Sequence, residues 1–132
     1  MYRSCIAICF MLAPICNFGC SPAPRTTAPV AHVKGTIKMD GNPVSAGEIH
    51  FGMDGVPPMF LEIKNGVFSG ETPVGENKVE FFIWVEGPAS EKYGGARSKS
   101  NIAPEKYWGA NTTLTGKVTA GGPNEFIFDL SK

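Results

Sequence analysis

The chain has 132 residues, room for one domain of ordinary size. Hydrophobic residues are 42% and charged ones 18%, which excludes a disordered acidic tail and a coiled coil; sixteen Gly and eleven Pro, about a fifth of the chain, argue for many turns and against a helical bundle. Twelve Lys/Arg balance twelve Asp/Glu, so no basic field exists to collect nucleic acid and no acidic one to collect cations.

All four cysteines, Cys5, Cys9, Cys16 and Cys20, fall at the start of the chain. Arg3 precedes an apolar run from Cys5 to Ile15 that only Pro14 interrupts. Such a run is too short to span a bilayer as a helix but fits the apolar region of a secretory signal. A buried N-terminal helix is the competing reading, and the shift to Ser21-Pro22-Ala23-Pro24 argues against it. Asn17-Phe18-Gly19-Cys20 resembles a bacterial lipobox, in which a small residue precedes the cysteine that is acylated before cleavage on its N-terminal side. Gly19 and Cys20 match, while Asn17 stands where an aliphatic residue is usual. The resemblance implies a signal peptide over 1–19, lipidation (palmitate) at Cys20, and a membrane partner held through the anchor. A plain signal-peptidase cut would leave Cys20 as a lone thiol with no partner for a disulfide. Residues 20–31 then read as a proline-rich tether and 32–132 as the folded domain, whose stability must come from an apolar core.

From Val33 onward the apolar pattern has a period of two. Val33, Ile37 and Met39 share one face, as do Ile49, Phe51 and Met53, and then Met59, Leu61 and Ile63. Asp40-Gly41-Asn42-Pro43 and Asn65-Gly66 are turn signals, the second marking a hairpin. Val79, Phe81, Ile83 and Val85 make the longest inward row, followed by Leu114 and Val118, then Phe126, Phe128 and Leu130 with Glu125 and Asp129 facing water. No sustained helical period follows residue 20. About seven short strands in this length predict an all-β fold, a single antiparallel β-sandwich, with a small barrel as the alternative.

The blocks Gly35-x-Ile37-x-x-Asp40-Gly41-x-Pro43-Val44-x-x-Gly47-x-Ile49-x-Phe51, Asn65-Gly66-x-Phe68, Pro73-x-Gly75-x-x-Lys78-Val79, Pro104-x-Lys106-Tyr107 and Asn124-x-Phe126-x-Phe128-x-Leu130 come in a fixed order. In that order, behind a lipobox, they resemble the carboxypeptidase-regulatory-like (transthyretin-like) sandwich domains of small lipoproteins from planctomycete-type bacteria. The resemblance covers about residues 33–130, and Asn77 departs from it where an aromatic residue often stands. It implies a fold and an exported, envelope location, and no chemistry.

Candidates for chemistry are few. His32 and His50 are the two histidines; Glu48 and His50 share an outward strand face, but no third ligand accompanies them, so no metal site and no cofactor is expected. The serines sit in no nucleophile-elbow pattern, and Gly94-Gly95 lacks the Lys of a phosphate loop. No catalytic residue is assigned, and the chain is read as a non-enzyme. Phe82 and Trp84 point away from the inward row of their strand, and Tyr107-Trp108 lie in a long connection over 87–112. These four are the candidate ligand or partner contacts. The competing expectation is that the long connection folds back over Phe82 and Trp84, with Tyr107 and Trp108 as its lid and a mobile tip at Gly94-Gly95. The sequence thus predicts a non-enzymatic binding or structural module of the cell envelope, in the outer membrane by the absence of Asp after Cys20. A carbohydrate-binding module, or an accessory subunit of an envelope enzyme or transporter, is the alternative; an envelope protein or polysaccharide is the expected partner, and nucleic acid is not.

Overall fold

The computed structural model describes residues 27–132, so the expected signal segment, Cys20 and most of the tether lie outside the described residues. Nine strands follow in order: β1 (Val30–Met39), β2 (Asn42–Pro43), β3 (Ala46–Met53), β4 (Val56–Lys64), β5 (Val67–Pro73), β6 (Gly75–Ser90), β7 (Ala96–Asn101), β8 (Thr115–Val118) and β9 (Glu125–Leu130). There is no α-helix among the described residues. The two predicted turns form as read: Asp40 and Gly41 (φ 50° and 80°) and Asn65 and Gly66 (φ 51° and 76°) place both central residues on the left-handed side, the geometry that matches the twist of flanking strands.

The strands form two layers. One is β5-β1-β9; the other is β4-β3-β6, with β8 and β7 in succession along the far side of β6. β4 and β5 pair only at Lys64↔Val67, around the Asn65-Gly66 turn, and then diverge, so this hairpin is the hinge side of the sandwich. The antiparallel β-sandwich expected from the alternation is the fold. One pair departs from it: β9 runs parallel to β1. The strand count exceeds the expected seven because β2 and β7 pair as well.

The inward rows meet between the layers. Val33, Ile37, Ile49, Phe51, Leu61, Ile63, Phe68, Val79, Phe81, Ile83, Val118 and Leu130 are all buried. The Phe51 ring lies 6.2 Å from Phe68 and 5.8 Å from Phe126, and Phe81 meets Phe128 edge-on at 5.0 Å. Two residues of the inward rows differ from expectation. Met59 and Val85 stand exposed, Met59 beside a hollow that it shares with Val30 and Pro73, and Val85 on the part of β6 that pairs with β7. The expected loop over 87–112 is also corrected in its first half. β6 continues to Ser90 and returns as β7, a two-stranded arm closed by a short 3₁₀ turn at Glu91–Tyr93 and Gly94. Likewise β1 takes up Val30 and Ala31, assigned above to the tether, by pairing them with Pro73 and Thr72.

Buried polar groups fix two corners. Asn77, at the position where the sequence departs from the resembled pattern, is fully buried and donates to the carbonyls of Pro73 and Gly75, tying the β5–β6 corner. Asn124 accepts from the Thr119 N–H and hydroxyl and donates to the carbonyls of His32 and Thr119, closing the β8–β9 connection onto β1.

Gly35 is where β1 must carry no side chain. A Cβ there would strike the Phe126 carbonyl and come within 2.6 Å of the Phe68 ring. Gly35→Ala is expected to destabilise the domain by about 3 kcal/mol in denaturant unfolding, since overpacking of a filled core has that size. Gly121→Ala, with nothing within 4 Å of its Cβ, should be near neutral in the same assay.

Candidate functional site

Parity places Lys78, Glu80, Phe82, Trp84 and Glu86 of β6 on the outer face, away from the core. Register then brings neighbours that the sequence does not announce. His50 of β3 stands opposite Phe60 of β4 and Glu80 of β6, and Glu48 stands opposite Glu62 and Phe82. The result is an aromatic row across three strands. The Phe60 ring meets His50 edge-on at 4.3 Å, His50 lies over Phe82 at 4.4 Å, and Phe82 stacks on Trp84 at 6.1 Å with 22° between planes. His50 Nε2 donates a hydrogen bond to Glu48 Oε2 at 3.1 Å, and its side chain is only 16% exposed. His50, on an outward strand face, is thus not left to water: two aromatic rings flank it. His32, the other histidine, lies on the opposite layer beside the Ser69 hydroxyl. No group of three or more metal-ligating side chains occurs among the described residues.

The row ends in a groove because β6 outruns β3. The last β3–β6 pair is Gly47↔Ile83, while β6 continues with β7 through Trp84↔Asn101 and Glu86↔Lys99. Beyond Gly47 the β3 side of β6 is uncovered. The space, about 420 Å³, is walled by Trp84 and Phe60 and flanked by Glu48, Glu62, Glu86 and Lys99. Trp84 is 37% exposed and Phe60 59%. Lys64 pairs with Glu62 at 2.8 Å, and Lys99 faces Glu86 across the arm. A second hollow of about 260 Å³ opens on the other side of Trp84, where Val85 and Ile102 are exposed near Asp40 and Lys132.

The four candidate contacts separate. Phe82 is half-buried within the row and Trp84 is open to solvent. Trp108 lies 6.3 Å from Phe82 and donates its Nε1–H to the Ala103 carbonyl, so it covers one flank of that ring. Tyr107 does not join the row. Its hydroxyl accepts the Ser131 N–H at 3.0 Å and contacts the Ser131 hydroxyl, holding the C-terminal end instead. The expected lid is thus half present: Trp108 shields Phe82, while Trp84 stays 37% exposed. Sequence reasoning missed Phe60 and weighed His50 only as a metal ligand beside Glu48; Phe60 is out of step with Leu61, as His50 is with Ile49, but only register shows that they touch.

No protein-family model and no curated protein matches the chain. Among solved structures, the crystal structure of a DUF3823 family protein from Parabacteroides merdae is similar to it at 12% identity and a TM-score of 0.37, over 80% of this chain and 45% of that one. The chain thus spans less than half the length of that protein. No helix among the described residues is long and apolar enough to cross a membrane.

The titration of Tyr107 is displaced. The Ser131 hydroxyl and then its N–H, with Lys106 alongside, hold the Tyr107 phenol below the ordinary 10.0. Because the ionised form is favoured in the folded state, stability is expected to rise as pH climbs through the lowered pKa and to level off above the ordinary value. Absorbance titration at 295 nm should show one tyrosine ionising early, and Tyr107→Phe should remove that component. An unchanged curve would mean that the contact with Ser131 does not persist in solution.

Proposed function

We propose that the chain is a non-enzymatic, glycan-binding module of the bacterial cell envelope, anchored through an acyl group on Cys20. The observation that carries the glycan reading is the groove between Trp84 and Phe60. Sugar rings present apolar C–H faces and a rim of hydroxyls; aromatic walls suit the faces, and carboxylates suit the rim. Each groove carboxylate already has a neighbour of its own, His50 on Glu48, Lys64 on Glu62 and Lys99 opposite Glu86. That arrangement favours acceptors held in place over a free acid that would cleave a glycoside, and so supports binding without turnover.

The location is supported by the N-terminal segment alone: the apolar run, Gly19-Cys20 and the proline-rich stretch after it. The order of turn and strand blocks along residues 33–130 supports a transthyretin-like sandwich as the scaffold.

Two measurements test the proposal. Intact mass of protein extracted from native membranes is expected to correspond to a chain beginning at Cys20 and carrying acyl groups; an unlipidated chain, or one retaining residues 1–19, removes the anchor. For the groove, intrinsic fluorescence should shift on titration with a cell-wall or storage polysaccharide, because Trp84 is exposed whereas Trp108 is packed and hydrogen-bonded. Trp84→Ala should weaken binding at least about tenfold, the effect of losing roughly 1.4 kcal/mol of stacking. No shift across a panel of neutral, amino and acidic glycans would sink the glycan reading.

A further inference from the structure

The β9 strand closes its layer, and its outer edge has a definite composition. Asn124 and Leu130 offer their carbonyls to Lys34 and Asp40 of the β1 side, so the even-numbered residues of β9 bond inward. The odd-numbered residues Glu125, Ile127 and Asp129 therefore turn their N–H and C=O groups outward, where no strand pairs with them among the described residues. The row is bounded at both ends. Asn124 spends its side chain on the β8–β9 connection, and the next outward donor, the Ser131 N–H, is occupied by the Tyr107 hydroxyl. What stays open is a short edge of three residues.

Side chains on that edge are arranged as charge, apolar, charge. Ile127 is 83% exposed, the most exposed large apolar residue among those described, and it sits between two carboxylates. Register carries its row inward, with Thr36 opposite Ile127 on one side and Val67 on the other, over a hollow of about 610 Å³ that reaches Gly35 and Phe68. Glu125 pairs with Lys34 at 2.6 Å, but both side chains are more than half exposed, where such pairs contribute little and exchange readily.

We propose that this edge accepts an extended segment of another protein with basic, apolar and basic residues at alternate positions, added as a further strand. The main chain would bond Glu125, Ile127 and Asp129, the central apolar side chain would extend the Val67–Thr36–Ile127 row, and the flanking cations would meet the two carboxylates. Charge selects this occupant over a second copy of the chain. Antiparallel self-pairing centred on Ile127 sets Glu125 against Asp129 twice, opposing like charges. Parallel self-pairing through the same edge would have to set Ile127 opposite an even-numbered residue, because bonding residues stand opposite non-bonding ones in a parallel ladder, and would turn the Phe126–Phe128 face of one copy out of its core. The edge is thereby guarded against its own kind and matched to a cationic strand. This docking site lies on the other layer from the aromatic groove and does not rest on the glycan reading.

The test uses a peptide Thr-Lys-Thr-Val-Thr-Lys-Thr and its counterpart with both Lys replaced by Glu, titrated into the ¹⁵N-labelled domain. The Lys peptide is expected to bind and to slow hydrogen exchange at the amides of Glu125, Ile127 and Asp129, and the Glu peptide to bind at least about tenfold more weakly. The double variant Glu125→Lys, Asp129→Lys should reverse the preference, and Ile127→Lys should abolish binding with the amide spectrum of the core unchanged. Binding that survives Ile127→Lys, absence of binding with the fold intact, or protection of the same amides by self-association alone would each overturn the proposal.

Discussion

A strand with a partner on each side, and with bulky rings arriving from both, must be thin at its centre. That strand is β1, and Gly35 is its thin point: its register partners are Phe68 on β5 and Phe126 on β9, and the Phe68 ring occupies the volume its own side chain would have filled. Phe51 then reaches across from β3 to touch both rings, and Phe81 reaches Phe128. Those ring contacts join the β1 layer to the inward faces of β3 and β6. No cysteine follows Cys20, so no disulfide within the folded residues can help, and apolar burial of roughly 2–3 kcal/mol for each such side chain has to hold the two layers together.

Much of this was legible because a half-buried strand advertises itself. Val33 and Ile37, Ile49 and Phe51, and Leu61 and Ile63 alternate with charged or small residues, and Asp-Gly and Asn-Gly mark the turns. The β7 arm was not legible, for the same reason in reverse. Its six residues, Ala96 to Asn101, have water on both faces and no apolar period; backbone pairing with β6 makes the strand. The β9 partnership with β1 joins the two ends of the domain, and nothing local encodes it. Among site residues, Phe82 and Trp84 could be oriented from parity within one strand. Phe60 and His50 could not be joined to them, because cross-strand register is a property of the assembled sheet. Asn77 shows a third kind of limit: its value lies in which carbonyls the β5–β6 corner leaves orphaned, and these exist only after the corner has formed.

The groove is a by-product of unequal strand lengths. β3 has 8 residues and β6 has 16, so the arm leaves the sandwich with one partner instead of two and exposes Trp84 where β3 stops. An exposed aromatic on a free arm would ordinarily be mobile and would cost entropy to fix on binding. Here the row behind it removes part of that cost. Phe82 is held between His50, Trp84 and Trp108; His50 is held by Glu48 and Phe60; Trp108 is held by the Ala103 carbonyl. Each contact is modest, of the order of 1 kcal/mol, but together they fix the orientation of Phe82, the ring on which Trp84 stacks. This gives the connection after β7 a structural purpose: by placing Trp108 against Phe82 while Tyr107 holds Ser131, it braces the aromatic row from one side and leaves the wall at Trp84 open.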